Sequence, residues 1–449
     1  MLPVVHPGAT HRDPFAGADL GGVAHHRHQL ALAAGLDAQH TEAVAGVVEG
    51  DALDRAGEHL GGLGFGVRHP VLHRAMLTAL RVEMAACFRQ TSWMADLFSP
   101  LRVGSLELPN RIWMAPLTRC RAQEGHVPGP LIAEHYSQRA TAGLIVAEAT
   151  MAMEGNSAFW HEPGIYNEAQ IEGWRLTTEA VHRAGGRIVL QIWHGGRACH
   201  PLLNNGRQPV APSPIAITGE EVHTPQGKQP YVLPRELGDD ELPAIVEGFR
   251  LAARNATAAG FDGVEVHGAN GYLLDEFLRN GSNQRSGPYG GALENRARLL
   301  FEVLEAVAGE TPLMGLRLSP LNSFNAMTDS DPIGLITWLA HRLNNVPLAY
   351  LHLMRADMFG QQHGDVLTPV RQQFKGVLVA NMGYTAEEAN AAIGTGAIDA
   401  VAFGTSFLAN PDLPERFRRG AALNTPDPAT FYSPGPAGYT DYPRLANET

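Results

Sequence analysis

From Ile112 onward this sequence calls for an α/β fold, a (β/α)8 TIM barrel. Eight short runs are apolar on both faces and rich in Val, Ile or Leu, as parallel strands buried on two sides must be. Helix-like stretches separate them in strict alternation, and eight such units over about 330 residues favour a closed barrel over an open sheet. One excursion, residues 194–238, is rich in Pro, Gly and Asn and too long for a plain connection, so a lid or active-site loop is expected there.

The elements follow in order. Strands are expected at 112–117, 144–149, 188–193, 263–267, 313–318, 348–353, 377–380 and 400–404. Helices are expected at 130–142, 168–184, 239–259, 294–308, 332–344, 385–394 and 411–419, with a weaker one at 366–374. Gly185-Gly186 stops the second of these, and Thr385-Ala386-Glu387-Glu388 opens another with a capping-box pattern.

Residues 1–93 read differently. Nine of the 20 histidines lie there, and turn residues interrupt every short Ala/Leu piece. His25, His26 and His28 cluster, but no Cys, Asp or Glu is spaced to complete a metal site. The expectation is an extension of uncertain order, either poorly folded or translated from a start placed too early. Met94-Ala95-Asp96-Leu97-Phe98-Ser99-Pro100 has the look of a natural beginning, so residues 94–449 are taken as the barrel domain.

Composition narrows the function. The 449 residues are 44% hydrophobic and 18% charged, which excludes bulk disorder. The formal net charge of −12 offers no electrostatic footprint for nucleic acid or an anionic membrane surface. No run reaches the length of a membrane span, and the start lacks the pattern of a secretory signal. Cys87, Cys120 and Cys199 form neither a disulfide framework nor a zinc pattern, so a reducing, cytoplasmic compartment is expected.

In a (β/α)8 barrel the chemistry sits at the C-terminal ends of the strands. The most informative end is Val266-His267-Gly268-Ala269-Asn270-Gly271-Tyr272. An imidazole and an amide three residues apart can donate to one oxygen and stabilise charge developing on it. Two residues on, the Tyr272 phenol is placed to protonate a carbon acid. Arg317 ends the next strand as a fixed cation suited to an anionic ring. The competing reading is that His267 and Asn270 cap the following helix while Tyr272 packs. No nucleophile elbow and no metal-ligand set appears at these ends.

These strings resemble the old yellow enzyme family of FMN-dependent ene-reductases, and most of all its bacterial N-ethylmaleimide and nitroester reductase branch. The resemblance is carried by Leu97-Phe98-Ser99-Pro100, residues 110–119 (NRIWMAPLTR), 190–194 (LQIWH), 259–267 (AGFDGVEVH) and 270–274 (NGYLL). It continues through 281–285 (GSNQR), 294–298 (ENRAR), 409–413 (ANPDL) and 438–443 (GYTDYP), over three quarters of the chain in the family's order.

The resemblance implies FMN as cofactor and NADPH or NADH as reductant. Electron-poor alkenes or nitro compounds would be substrates, and the protein would act as a monomer or homodimer. It puts Pro116, Thr118 and Ala149 around the flavin ring, the Thr118 hydroxyl at the O4 edge. Gln191 falls on the pyrimidine side and Arg317 beside N1 and O2. His267 and Asn270 anchor the acceptor's activating oxygen, and Tyr272 donates the proton. Phe159, Trp193 and Tyr432 line the substrate pocket. The nicotinamide shares that pocket, so no Gly-x-Gly-x-x-Gly fingerprint is required. Cys120, two residues past Thr118, is read as structural.

Two departures fall in the phosphate site, which the resemblance assigns to Met382, Gly383, Gly404 and Thr405. The family ends its eighth strand with Gly-Arg; this chain has Gly404-Thr405. It also carries Met382 where a glycine is usual. A charge-assisted hydrogen bond is worth about 1.5–3 kcal/mol, so weakened phosphate anchoring is expected. A second reading therefore stands beside the enzyme: a barrel with impaired FMN retention that serves as a non-catalytic binding protein.

Overall fold

A computed structural model describes residues 95–446. The expectations stated for residues 1–93, including the histidine cluster, lie outside the described residues.

The eight barrel strands are β1 (Ile112–Met114), β2 (Ile145–Met151), β3 (Ile188–Trp193), β4 (Gly263–Gly268), β5 (Met314–Leu318), β6 (Tyr350–Met354), β7 (Val377–Asn381) and β8 (Ala400–Phe403). All are parallel, and they close in chain order, β8 pairing with β1. The connecting helices are α1 (Pro130–Ser137), α2 (Glu168–Arg183), α3 (Leu242–Ala258), α4 (Arg298–Ala308), α5 (Pro332–Arg342), α6 (Leu367–Gln373), α7 (Ala386–Gly394) and α8 (Leu413–Arg419).

Local chemistry accounts for the helix ends. Asn167 caps α2 by accepting from the Gln170 N–H, and Gly185, at φ +82°, turns the chain away after it. Thr385 caps α7 through the Glu388 N–H, as its sequence pattern predicts. Three elements are shorter or more broken than expected. β1 stops at Met114, ahead of Pro116, which has no N–H for the ladder. The first helix ends at Ser137, and the 294–308 stretch divides at Ala297 into Leu293–Arg296 and α4.

The excursion after β3 is not bare loop. It carries an antiparallel hairpin, Glu221–Thr224 with Gly227–Pro230, and a parallel pair, Val210–Ala211 with Arg235–Glu236. A second hairpin that the sequence reading missed, Leu101–Val103 with Leu106–Leu108, closes the bottom of the barrel. Its Leu101, Val103 and Leu108 join one core with Trp113, Val146, Val189, Tyr350 and Val379. Trp113 meets Tyr350 edge-on, 5.0 Å between ring centres, a geometry worth about 0.5–1.5 kcal/mol beyond the buried area. With the bottom filled, the C-terminal mouth is the end left for chemistry.

Candidate active site

Strand register sets the floor of the mouth. Gln191 on β3 pairs with Glu265 on β4, His267 with Arg317 on β5, and Arg317 with His352 on β6. Side chains alternate along a strand, so Glu265 and His267 share the inward face. Glu265 is fully buried, and its carboxylate accepts from Gln191 Nε2 at 2.7 Å and pairs with His352 Nδ1 at 2.9 Å. Burial opposes ionisation of Glu265, but His352, Arg317 and Gln191 together outweigh it and hold the carboxyl below its usual range. Arg317 is buried beside it, with Nε unpartnered.

Above this layer the His-x-x-Asn-Gly-Tyr turn bends sharply. Asn270 and Gly271 both adopt left-handed backbone, φ +58° and +69°. Asparagine and glycine tolerate that region best, which explains their place between His267 and Tyr272. A Cβ on Gly271 would sit 2.6–2.9 Å from Met327, Asn325 and Phe324. Asn325 Nδ2 donates to the Asn270 carbonyl at 3.0 Å, and Asn322 Nδ2 donates to Asn270 Oδ1 at 2.9 Å. The Asn270 Nδ2 is thereby turned away as a donor. Neither His267 nor Asn270 caps the next helix; the Gly271 N–H goes to Asp275 Oδ2 instead. The capping alternative is corrected on that ground.

His267 is buried, with Nδ1 unpartnered. Burial, reinforced by Arg317 and His352, holds its imidazole well below the usual range, so it is neutral and donates through one N–H. Burial pushes the Tyr272 phenol well above its usual range, with Tyr231, Tyr432 and Glu162 adding to the effect; it stays protonated. The His267 and Tyr272 rings lie 5.4 Å apart.

An aromatic wall surrounds this pair. Trp193 meets Tyr272 edge-to-face at 4.3 Å and Phe159 at 6.0 Å; Tyr432 stacks on Phe159 at 5.9 Å. Ala149 packs into the same cluster, re-aimed by a bulge in β2 between Ala147 and Thr150. Phe324, which the sequence reading missed, continues the wall beyond Tyr272 at 6.5 Å.

Tyr432 reaches the site because two arginines after β1 clamp the C-terminal segment. Arg119 donates to the carbonyls of Phe431 and Gly438, and Arg121 to those of Thr430 and Phe431. The Arg119 N–H also binds Glu148 Oε2 at 3.0 Å, which fixes the loop bearing Pro116 and Thr118. Burial pushes the Cys120 thiol up, in keeping with a structural part.

On the opposite side of the mouth, the loops after β7 and β8 present unused donors. Met382 and Gly383 are both left-handed, φ +93° and +69°. Among the described residues the N–H groups of Met382, Gly383, Thr405 and Ser406 find no acceptor in the protein. A concave set of free main-chain N–H groups is what an anion requires. Glu265, His352, Asn322 and Asn325 also went unread in the sequence; for Glu265 and His352 the one local signal was a charged or polar residue inside an otherwise apolar strand, and Asn322 and Asn325 lie in the connection after β5, which carries no such signal.

A free anion cradle on one side and an unpartnered buried guanidinium beside a held amide on the other suit a planar ring that carries a phosphate. This places the chain in the class of flavin-binding barrel oxidoreductases. Residues 96–424 match the model of the NADH:flavin oxidoreductase / NADH oxidase family, and the chain belongs to that family. Similar proteins include a probable flavin mononucleotide-dependent alkene reductase of Leishmania infantum, 50% identical over 354 residues, 77% of this chain and 97% of that one. A solved structure of morphinone reductase in complex with tetrahydroNAD is 47% identical, with TM-score 0.75, over 78% of this chain and 98% of that one. The old yellow enzyme from Trypanosoma cruzi is 44% identical, with TM-score 0.76, over 78% of this chain and 99% of that one. This chain is an NAD(P)H-dependent flavin oxidoreductase, and FMN is its cofactor.

Proposed function

We propose that this enzyme reduces activated C=C bonds of α,β-unsaturated carbonyl or nitro compounds, with NADH or NADPH as the reductant. The observation that carries the reading is the turn that sets the neutral His267 imidazole, the Asn270 amide and the protonated Tyr272 phenol around one mouth beside Arg317.

FMN, when bound, would supply the two-electron redox chemistry that links NAD(P)H to the β-carbon of the acceptor. His267 and Asn270 donate hydrogen bonds to the acceptor's carbonyl or nitro oxygen, and these bonds strengthen as negative charge develops there. Tyr272 delivers a proton to the α-carbon, which completes the addition of two hydrogens across the double bond. Phe159, Trp193 and Tyr432 face the apolar body of the acceptor. Arg317 and Gln191 would hold the pyrimidine edge of the flavin, and Pro116, Thr118 and Ala149 would lie around the ring. Met382, Gly383, Gly404 and Thr405 would receive its phosphate.

The retained Thr118, Gln191, His267, Asn270, Tyr272 and Arg317 favour this reading over a non-catalytic binding protein. Anaerobic incubation of the purified protein with NADPH or NADH and 2-cyclohexenone tests it. The expected result is enone-dependent NAD(P)H oxidation with cyclohexanone formed in equal amount. NAD(P)H oxidation without a saturated product overturns the alkene assignment, and binding without turnover supports the alternative.

A further inference from the structure

We propose that Arg355, at the end of β6, supplies the positive charge for the FMN phosphate that the end of β8 lacks. The inference rests on the reading that the loops after β7 and β8 receive the phosphate.

Thr405, where the family resemblance implies an arginine, is an exposed neutral residue. Arg355 follows β6 directly, and β6 lies beside β7. Its N–H bonds the Asn381 carbonyl at 3.3 Å, so its main chain is tied to the last residue of β7. Its side chain then runs along the cradle. Nε donates to the Met382 carbonyl at 2.8 Å, and Nη2 lies 4.0 Å from where a Cβ on Gly383 would stand. The guanidinium is therefore next to the two left-handed residues whose N–H groups are free.

Its aim is held from two sides. The Tyr384 ring lies against the guanidinium, 3.6 Å from ring centre to Cζ. Glu388, in the first turn of α7, takes one bond from Nη1 and another from Nη2 at 3.0 Å. A guanidinium has five N–H groups. Three are used, by Met382 and Glu388, and one on each terminal nitrogen is left. A flat fork with two remaining donors, beside free main-chain N–H groups, matches a phosphate. The Nε bond to Met382 also steadies the strained residue that stands where glycine is usual, so one side chain answers both departures from the family pattern.

The test separates phosphate from ring by titrating the apoprotein with FMN and with riboflavin, which has no phosphate. The unaltered protein should bind FMN the more tightly. Arg355→Met should weaken FMN about tenfold or more, the loss expected for one charge-assisted contact, and leave riboflavin unchanged; Arg355→Lys should recover part. Thr405→Arg should restore FMN affinity in the Arg355→Met protein and add little to the unaltered one. Glu388→Gln keeps Arg355 and removes its competing carboxylate, so FMN should bind as tightly or more tightly. Equal losses for FMN and riboflavin in Arg355→Met, or an unchanged ratio, overturn the assignment. No preference for FMN in the unaltered protein overturns the phosphate-site reading itself. Should Arg355→Met not fold, a fall in FMN affinity in Glu388→Gln overturns the assignment, and a rise upholds it.

Discussion

Gln191 donates from Nε2 to Glu265 Oε1 at 2.7 Å across the β3–β4 pair, deep under the mouth of the barrel. The same carboxylate pairs with His352 Nδ1, so one buried anion orients an amide, an imidazole and the neighbouring Arg317. Glu265→Gln keeps the shape but sets an amide N–H against one of the two donors. Breaking one such buried contact costs about 1–3 kcal/mol. A lower melting temperature and FMN binding weakened about tenfold are expected, read by calorimetry and apoprotein titration. Unchanged values in both would show that the network positions nothing.

His267→Ala removes a donor proposed to bind the acceptor oxygen. Enone reduction should slow by about a hundredfold or more, the usual scale for one oxyanion donor, while NAD(P)H still reduces the flavin. Stopped-flow measurement of the two half-reactions separates them. Loss of flavin reduction with enone reduction intact would show the role to be misassigned.

Tyr272→Phe removes only a hydroxyl and keeps the ring that packs on Trp193. Acceptors that need a proton on carbon should slow by about a hundredfold, and those that need none should react as before. Equal losses on both kinds of acceptor would indicate that Tyr272 positions the substrate.

Glu162 holds the loop bearing Phe159, accepting from the N–H groups of Ala158 and Phe159 through Oε1, while its buried Oε2 has no partner. Burial pushes its carboxyl up to about 8, and Glu276 is likewise pushed up to about 8. A folded value above the unfolded one means that the folded state binds the extra proton. The stabilisation is full below the unfolded value of 4.5 and is lost as pH rises through about 8. His267 runs the other way: held below its unfolded value of 6.5, it costs stability as pH falls beneath that. The melting temperature should therefore fall most steeply between about pH 6.5, above which His267 no longer offsets the loss, and about 8, and Glu162→Gln should flatten that fall. An equally steep fall in the variant would place the alkaline loss elsewhere.

Every barrel strand and every proposed site residue lies between Ile112 and Tyr432. The chain started at Met94 should keep its flavin content, melting temperature and turnover, checked by absorbance, calorimetry and steady-state assay. Loss of folding would show that residues 1–93 take part in the barrel domain.

The barrel and the centre of its candidate site were legible in the residue order because both are local patterns. A strand buried on two faces must be apolar at successive positions, and β1 to β8 say so without reference to one another. His267, Asn270 and Tyr272 were legible for the same reason, since one turn of Asn and Gly carries all three. Glu265 and His352 stand 87 residues apart, and nothing near either names its partner. Only barrel closure, which puts β4, β5 and β6 in register, turns an isolated Glu and an isolated His into one network. The bottom hairpin escaped notice because strands of three residues are too short to show a period. Arg355 is the sharpest case: beside Met354 it is one more arginine in a loop. Its meaning comes from Met382, Gly383, Tyr384 and Glu388, which the β6–β7 pairing brings beside it. Local apolar order determined the fold, whereas the partners of buried charges were decided by chain closure, because electrostatic contacts depend on distance in space and not along the chain.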